Sequence, residues 1–311
     1  MLDKYYNKET HTLTLPIYFN SLLTDLPLGT KIIIFEEDLN NYLEFIEKII
    51  FFEEDLKNHQ YSKFNQQVYN LPSSLTHLTF GYDFNQTVDN LPPSLTYLTF
   101  GYYFNQRVDI LPSSLTHLTL GRHFNQKVDN LPSSLTHITF GISFNQKVDN
   151  LPASLIHATF EVSFSFNQKV NNLPSSLTHL TFGRNFNKTV DNLPSSLTHL
   201  TFGHNFNKGV DKLPSNLKHL TFGMLFNKEV DKLPSNLKHL TFGMLFNKKI
   251  DNLPSTLTHL TFGWNFYQKV DNLPFNLKEI TIRQTQIILL KKIPFDCKVV
   301  YHDNDNKEIF I

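Results

Sequence analysis

The sequence predicts a repeat solenoid: mainly β, in coils of 20 residues, with a parallel sheet on one face and little or no helix. Three observations predict it. First, a phenylalanine returns at Phe64, Phe84, Phe104, Phe124 and Phe144, then at Phe166, Phe186, Phe206, Phe226, Phe246 and Phe266. The step is 20 residues throughout, except for one step of 22 where Glu161-Val162-Ser163-Phe164-Ser165 enlarges the unit. A fixed period of this length marks stacked repeats. Second, each unit carries a Leu-Pro pair such as Leu71-Pro72, which gives an extended segment and bars a helix. Third, the chain holds 29 Phe against a single Trp. A phenyl ring has no polar atom to satisfy and suits a continuous stacked core.

From Phe64 the unit reads Phe-Asn-Gln-x-Val-x-x-Leu-Pro-x-x-Leu-x-x-Leu-x-Phe-Gly-x-x. Alternation from His77 to Phe80 predicts a short strand with Leu78 and Phe80 inward. Gly81 follows, free to take a positive φ and turn the chain. One coil is then a strand, a turn, an extended return and another turn. It cannot stand alone. About six core side chains at roughly 1.5–3 kcal/mol each do not offset the ordering of 20 residues at about 1–2 kcal/mol each. Stacking buries both faces of every ring and changes that balance.

Degenerate copies flank the array. Phe19-Asn20, Leu23, Leu26-Pro27, Ile33 and Phe35 fall on the template, as do Leu290, Ile293-Pro294 and Val300. An echo between Lys31–Leu39 and Lys48–Leu56 points to another eroded turn, with Leu39–Glu47 as a candidate helical link. Lys298–His302 and Lys307–Ile311 flank Asp303-Asn-Asp-Asn306 and predict a hairpin over the last coil. The expected organisation is 1–63 as degenerate repeats and an N-terminal cap, 64–282 as regular repeats, and 283–311 as a degenerate repeat with a capping hairpin. The stretch Glu36–Lys57 reads as part of the cap or as a docking segment.

Bulk properties exclude several classes. Lys+Arg and Asp+Glu are 28 each, so no overall field draws in nucleic acid or anionic lipid. The single Cys297 excludes an internal disulfide framework and a cysteine-built zinc site. No signal-like leader and no apolar run of about 18 residues predicts secretion or a membrane span. The expectation is a soluble cytoplasmic protein without a cofactor.

The string Phe-Asn-[Gln/Lys]-x-Val-Asp-Asn-Leu-Pro-Ser-Ser-Leu-Thr-His-Leu-Thr-Phe-Gly closely resembles the FNIP repeat, cleanly over about Phe64 to Ile282. That family is found in social amoebae and in giant DNA viruses of amoebae. Its repeats are relatives of leucine-rich repeats, so the resemblance implies leucine-rich-repeat-like coils in a horseshoe or superhelical interaction domain. It implies no chemistry. Some viral members carry an N-terminal F-box that recruits a ubiquitin ligase; here a repeat-like segment already begins at Phe19, and no F-box-like helical segment precedes it.

Two sets of residues are candidates for function. The first is a column on the exposed strand face: His77, His117, His137, His157, His179, His199, His219, His239 and His259, with Tyr97 as the exception and a threonine column beside it from Thr79 to Thr261. Stacked imidazoles about 5 Å apart offer transition-metal ligands, or a row that gains charge near pH 6 and attracts anions. The plainer reading is that near-identical units copy every surface residue. Two His from adjacent coils supply only half of a tetrahedral metal site.

The second set follows the repeat glycine, where copies differ: Tyr82, Tyr102, Tyr103, Arg122, His123, Arg184, His204, Met224, Met244 and Trp264. These residue types are favoured at interfaces, although a tolerant loop explains the same variation. Asn85 and its equivalents are expected to bond turn backbone as a ladder. Catalytic motifs are missing, and His and Asp recur with the period instead of converging. The expected function is a non-enzymatic protein-interaction scaffold with a protein partner. The alternatives are a substrate adaptor of a ubiquitin ligase, or a structural or decoy repeat protein without a specific ligand.

Overall fold

The computed structural model describes residues 2–24, 26–35, 61–160, 164–302 and 308–310. The fold is a β-solenoid of about 13 coils of ~20 residues with almost no helix. It divides into two compact units, Met1–Phe144 and Asn145–Ile311.

The first unit holds β1 (Tyr6–Asn7), β2 (Thr12–Leu15), β3 (Ile32–Phe35), β4 (His77–Thr79), β5 (Tyr97–Thr99), β6 (His117–Thr119) and β7 (His137–Phe140). From β2 to β7 each strand pairs in parallel with the next, and equivalent template positions face each other: Ile33↔Leu78, Leu78↔Leu98, Leu98↔Leu118. At the other edge β1 pairs with β2 in antiparallel fashion, Tyr6 opposite Leu13. The degenerate copy at Phe19 joins the stack as expected, because Ile33 and Phe35 are buried on β3. A coil that the template did not reveal precedes it: Leu13 and Leu15 on β2 are fully buried. The Leu39–Glu47 link, the Lys48–Leu56 echo and the whole Glu36–Lys57 stretch lie outside the described residues, as do Glu161-Val162-Ser163 and Asp303–Asn306.

The second unit holds β8 (His157–Phe160), β9 (His179–Thr181), β10 (His199–Thr201), β11 (His219–Thr221), β12 (His239–Thr241), β13 (His259–Thr261), β14 (Glu279–Arg283), β15 (Lys298–His302) and β16 (Glu308–Phe310). Parallel pairing runs from β8 to β15 in the same register. The last pair, β15 with β16, is an antiparallel hairpin.

Two turns close each coil. The Leu75 N–H donates to the Pro72 carbonyl at 3.0 Å, and the Phe84 N–H to the Gly81 carbonyl at 3.3 Å. Every coil from Leu75 to Leu277 repeats the proline turn, so the proline carbonyl opens the turn that leads into the strand. The interior is two columns of phenyl rings. Within a coil they lie face to face, Phe80 on Phe84 at 3.7 Å and Phe202 on Phe206 at 3.7 Å. Between coils the opening rings repeat at 6.0–6.2 Å, and all eleven are fully buried. There the backbones stand too far apart to bond directly, and asparagine bridges the gap. The Asn85 N–H donates to Asn65 Oδ1 at 2.9 Å, Asn105 to Asn85 at 2.9 Å, and Asn207 to Asn187 at 3.0 Å. The ladder reaches back to Asn20 in the degenerate first copy.

The reason for the repeat glycine differs from the expected one. Among the described glycines only Gly29 has a positive φ, at 84°. Gly81 and its successors are required by space: a Cβ on Gly223 would stand 1.9 Å from the Gly203 carbonyl oxygen, and one on Gly101 2.0 Å from that of Gly81. The backbones of adjacent coils are closest here, and only a residue without a side chain lets them meet.

The C-terminal coils end in a 3₁₀ turn, Gln284–Leu289. Its Gln286 is buried and donates through Nε2 to the Gly263 carbonyl at 2.9 Å and the Phe266 carbonyl at 3.1 Å. It thus satisfies the carbonyls of the preceding coil with a side chain.

Gly223→Ala is expected to destabilise the fold by about 1–3 kcal/mol, the usual cost of overpacking. Gly209→Ala, with nothing within 4 Å of its Cβ, should change stability by less than about 0.5 kcal/mol. Urea unfolding of the two variants beside the parent checks the contrast.

Candidate functional site

The variable pairs after the repeat glycine sit on a rim whose backbone hydrogen bond recurs between the described coils that keep the 20-residue step. The Tyr103 N–H donates to the Tyr82 carbonyl at 3.0 Å, His123 to Tyr102 at 3.0 Å and Ser143 to Arg122 at 2.9 Å. In the second unit Asn205 donates to Arg184, Leu225 to His204, and Leu245 and Asn265 to Met224 and Met244, at 2.8–2.9 Å. The turn therefore makes no demand on the side chain.

Those side chains are not equally available. Tyr103 and Trp264 are exposed at 46% and 37%, and His123 is exposed; Tyr102, Arg122, Arg184, His204, Met224 and Met244 are half-buried. Tyr82 corrects the expectation of an accessible contact. It is 7% exposed because Tyr61 stacks on it at 4.0 Å and Tyr102 at 4.4 Å. Burial raises its phenol pKa well above the ordinary value. Its successors form a cluster of aromatic and cationic groups, with Tyr103 on His123 at 5.4 Å and the Arg122 guanidinium over Tyr102 at 5.0 Å. Arg283 lies in the same way over Trp264, at 4.9 Å. Beside Tyr103 runs an open groove of about 530 Å³, lined also by Asn20, Lys63, Asn65, Asp83 and Asn85. The Lys63 ammonium and the Asp83 carboxylate face each other across it at 3.6 Å.

The strand-face column is a stacked row in both units. His77, Tyr97, His117 and His137 follow each other at 4.4, 4.1 and 4.2 Å. His157, His179, His199, His219, His239 and His259 follow at 4.0–4.3 Å, with ring planes within 14° of parallel. These distances are below the strand spacing of about 4.8 Å, while the phenyl rings behind the sheet stand at about 6 Å. Each unit is thus narrowest at its strand face.

Where a threonine precedes the histidine, a position the sequence reading passed over, it fixes the ring. Thr198 Oγ1 lies 2.8 Å from His199 Nδ1, Thr116 Oγ1 2.9 Å from His117 Nδ1, and Thr258 Oγ1 2.9 Å from His259 Nδ1. The same hydroxyls donate their only hydrogen to the carbonyl of the previous coil, Thr198 to Thr178 at 3.2 Å and Thr258 to Lys238 at 3.0 Å. The threonine oxygen is left to accept, so Nδ1 carries the ring hydrogen and Nε2 presents a lone pair outward. At His219 and His239 the preceding residue is Lys218 or Lys238. Comparing the coils position by position shows this exchange in the sequence.

The imidazoles resist protonation. Burial lowers the pKa of His77 and His137, and of His123 with help from Arg122. His199, His219 and His239 are lowered by burial first, then by neighbouring imidazoles and by Lys218 or Lys238. Among the described residues no three His, Cys, Asp or Glu side chains come together as a metal site. The column brings ring after ring together but converges on no point.

A family model described as FNIP Repeat matches residues 64–103, 87–123, 104–141, 124–163, 166–204, 189–223, 206–245, 226–263 and 246–284. No curated protein matches the chain. Among solved structures the chain is similar to CroV588 of the giant virus CroV, described as a novel circular LRR protein, with 35% identity and a TM-score of 0.68 over 92% of this chain and 49% of that one. It is also similar in fold to YopM from Yersinia enterocolitica WA-314, with 20% identity and a TM-score of 0.50 over 76% of this chain and 61% of that one. The chain spans about half the length of CroV588.

Because these histidines have folded pKa values below the unfolded value of about 6.5, the unfolded chain binds more protons as pH falls. Their contribution to stability is complete above about pH 6.5 and is lost as pH drops through that value toward the depressed ones. The melting temperature should therefore fall between about pH 7.5 and pH 5.5. A His199→Gln/His219→Gln/His239→Gln variant should show a smaller fall by differential scanning fluorimetry.

Proposed function

Since the chain belongs to the FNIP repeat family, we propose that it is a non-enzymatic scaffold that binds a protein partner through the variable rim. The observation that carries this reading is the constant rim backbone under changing side chains. Tyr102, Arg122, Arg184, His204, Met224 and Trp264 share one template position and vary, with Tyr102 and Met244 repeating their predecessors, although the hydrogen-bonded turn beneath them does not change. A surface that must recognise one partner needs such irregularity, and exposed or half-exposed Tyr, Arg, Met and Trp are residue types enriched at interfaces. The remaining candidates on the rim, Tyr103 and His123, occupy the next position. Tyr82 acts from beneath by seating Tyr102.

The non-enzymatic part of the reading is supported by periodicity. Histidine, aspartate and threonine recur at every coil, whereas a catalytic centre needs unlike groups assembled once. Among the described residues no helix is long and apolar enough to cross a membrane. The single cysteine, Cys297, has its thiol pushed up to about 11 by burial and by Glu279. That is a poor nucleophile, in keeping with a scaffold working in the cytoplasm.

The test compares the parent chain with a Tyr103→Ala/Met244→Ala/Trp264→Ala variant as bait in amoebal lysate, read by mass spectrometry. A protein held by the parent and lost from the variant, at unchanged melting temperature, is the expected result. Cullin-type ligase components in the parent lane would favour the adaptor reading instead. Identical lanes would favour a structural or decoy protein.

A further inference from the structure

The strand face of the second unit carries more than copied surface. Over β11 to β14 the position beside the strand-face column, threonine in most other coils, is lysine at Lys218, Lys238 and Lys278, with Thr258 between the last two. All three are exposed, and no carboxylate pairs with any of them among the described residues. Their ammonium groups stand close enough to act on the rings: Lys218 on His199 and His219, Lys238 on His239. The result is a strip of lysines and ring edges with a local excess of positive charge, the one carboxylate at its β14 end, Glu279, being held by Lys298.

From this we infer that the strip formed by Lys218, Lys238, Lys278 and His199, His219, His239 docks a short acidic segment of a partner protein, and docks it when the imidazoles are protonated. The geometry supplies the gate. His199 is locked with Nδ1–H toward Thr198, so its outward Nε2 is an acceptor while the ring is neutral and repels a carboxylate oxygen. One proton turns that edge into a charged donor. Rings 4.2–4.3 Å apart oppose the gain of charge on each other. A row of carboxylates laid across them removes that opposition, so ligand and protons bind together.

The groups that face the strip are few. On β9 and β8 they are His179 and His157, and on β13 His259. At β14 Glu279 follows Lys278, and Glu279 already holds Lys298 at 3.5 Å. Remaining neighbours on the face are the hydroxyls of Thr201, Thr221, Thr241 and Thr261. Charge complementarity favours peptide over nucleic acid. The same coils expose Asp211, Asp231 and Asp251, and the whole chain balances 28 basic against 28 acidic side chains. A field so local matches a few carboxylates better than a long phosphate backbone.

This inference rests on the scaffold reading for its class of partner, but it uses a different face from the rim. The test is fluorescence anisotropy of a labelled deca-glutamate peptide with the full chain at low salt. Affinity should be at least about tenfold tighter near pH 5.5 than near pH 7.5. Lys218→Thr/Lys238→Thr, which restores the threonine of the other coils and so preserves the fold, should weaken binding several-fold at the acid pH. His199→Gln/His219→Gln/His239→Gln should remove the pH dependence. Equal affinity at the two pH values, or an unchanged lysine variant, overturns the inference. Displacement of the peptide by an oligothymidylate of equal charge at lower concentration also overturns it, in favour of nucleic acid. Loss of rim-dependent capture with the peptide result intact would sink the rim reading alone, and the converse would sink the strip alone.

Discussion

The distance between successive coils is the quantity on which the rest of the molecule depends. On the strand side it is set by the parallel ladder, at about 4.8 Å. On the far side the opening phenyl rings of successive coils stand at about 6 Å in a stacked offset. One coil cannot satisfy both spacings with the same bond, and it uses different ones along its path. Backbone bonds backbone at the strand and at the rim. At the opening Phe-Asn the gap is wider, and an asparagine side chain spans it at 2.9–3.1 Å. Where the backbones are tightest, no Cβ fits at all. Asn, Gly and the two Phe of the repeat are thus four answers to one wedge-shaped gap.

The same wedge makes the strand face unusual. Side chains that point toward its narrow side are pressed together, so the imidazoles stand at 4.0–4.3 Å, in contact, although no bond joins ring to ring. Crowding of this kind favours the neutral state. It excludes water from the ring faces and sets any charge beside its neighbours. The threonines then decide which nitrogen looks outward. Where both effects meet, as at His199, a copied surface residue has acquired a fixed tautomer and a lowered basicity from packing alone, before any ligand is considered.

Much of this was legible in the sequence, because periodicity reports on burial. Each position that recurs as Phe, Leu or Val is inside, and the coil of strand, turn, return and turn follows from Gly and Pro at fixed offsets. The rings of the histidine column, one per period on the strand, stand as neighbours at 4.0–4.3 Å in the second unit. What stayed hidden has a common cause: it involves contact between coils that a single period does not describe. The glycine was read from its conformational freedom, although the carbonyl 20 residues earlier is what requires it. Tyr82 was read as an exposed variable residue, although Tyr61, in a coil of weaker pattern, covers it. The first coil, with Leu13 and Leu15, and Gln286 keep the 20-residue step from Ile33, Phe35 and Phe266, but the residue types around them have left the template and hide that step.

A repeat array can distinguish one place from another only by breaking its own pattern, and the breaks here are of two kinds. Some serve the fold. Gln286 occurs once because the stack must finish and its last free carbonyls need a donor, and the antiparallel partners of β2 and β15 occupy the two sheet edges for the same reason. Others answer to no packing demand. The rim side chains change over an unchanged turn, and Lys218, Lys238 and Lys278 replace threonines whose hydroxyls elsewhere hold a histidine and tie two coils together. Each of these exchanges gives up a hydrogen bond worth about 0.5–1.5 kcal/mol and obtains an unpaired charge in return.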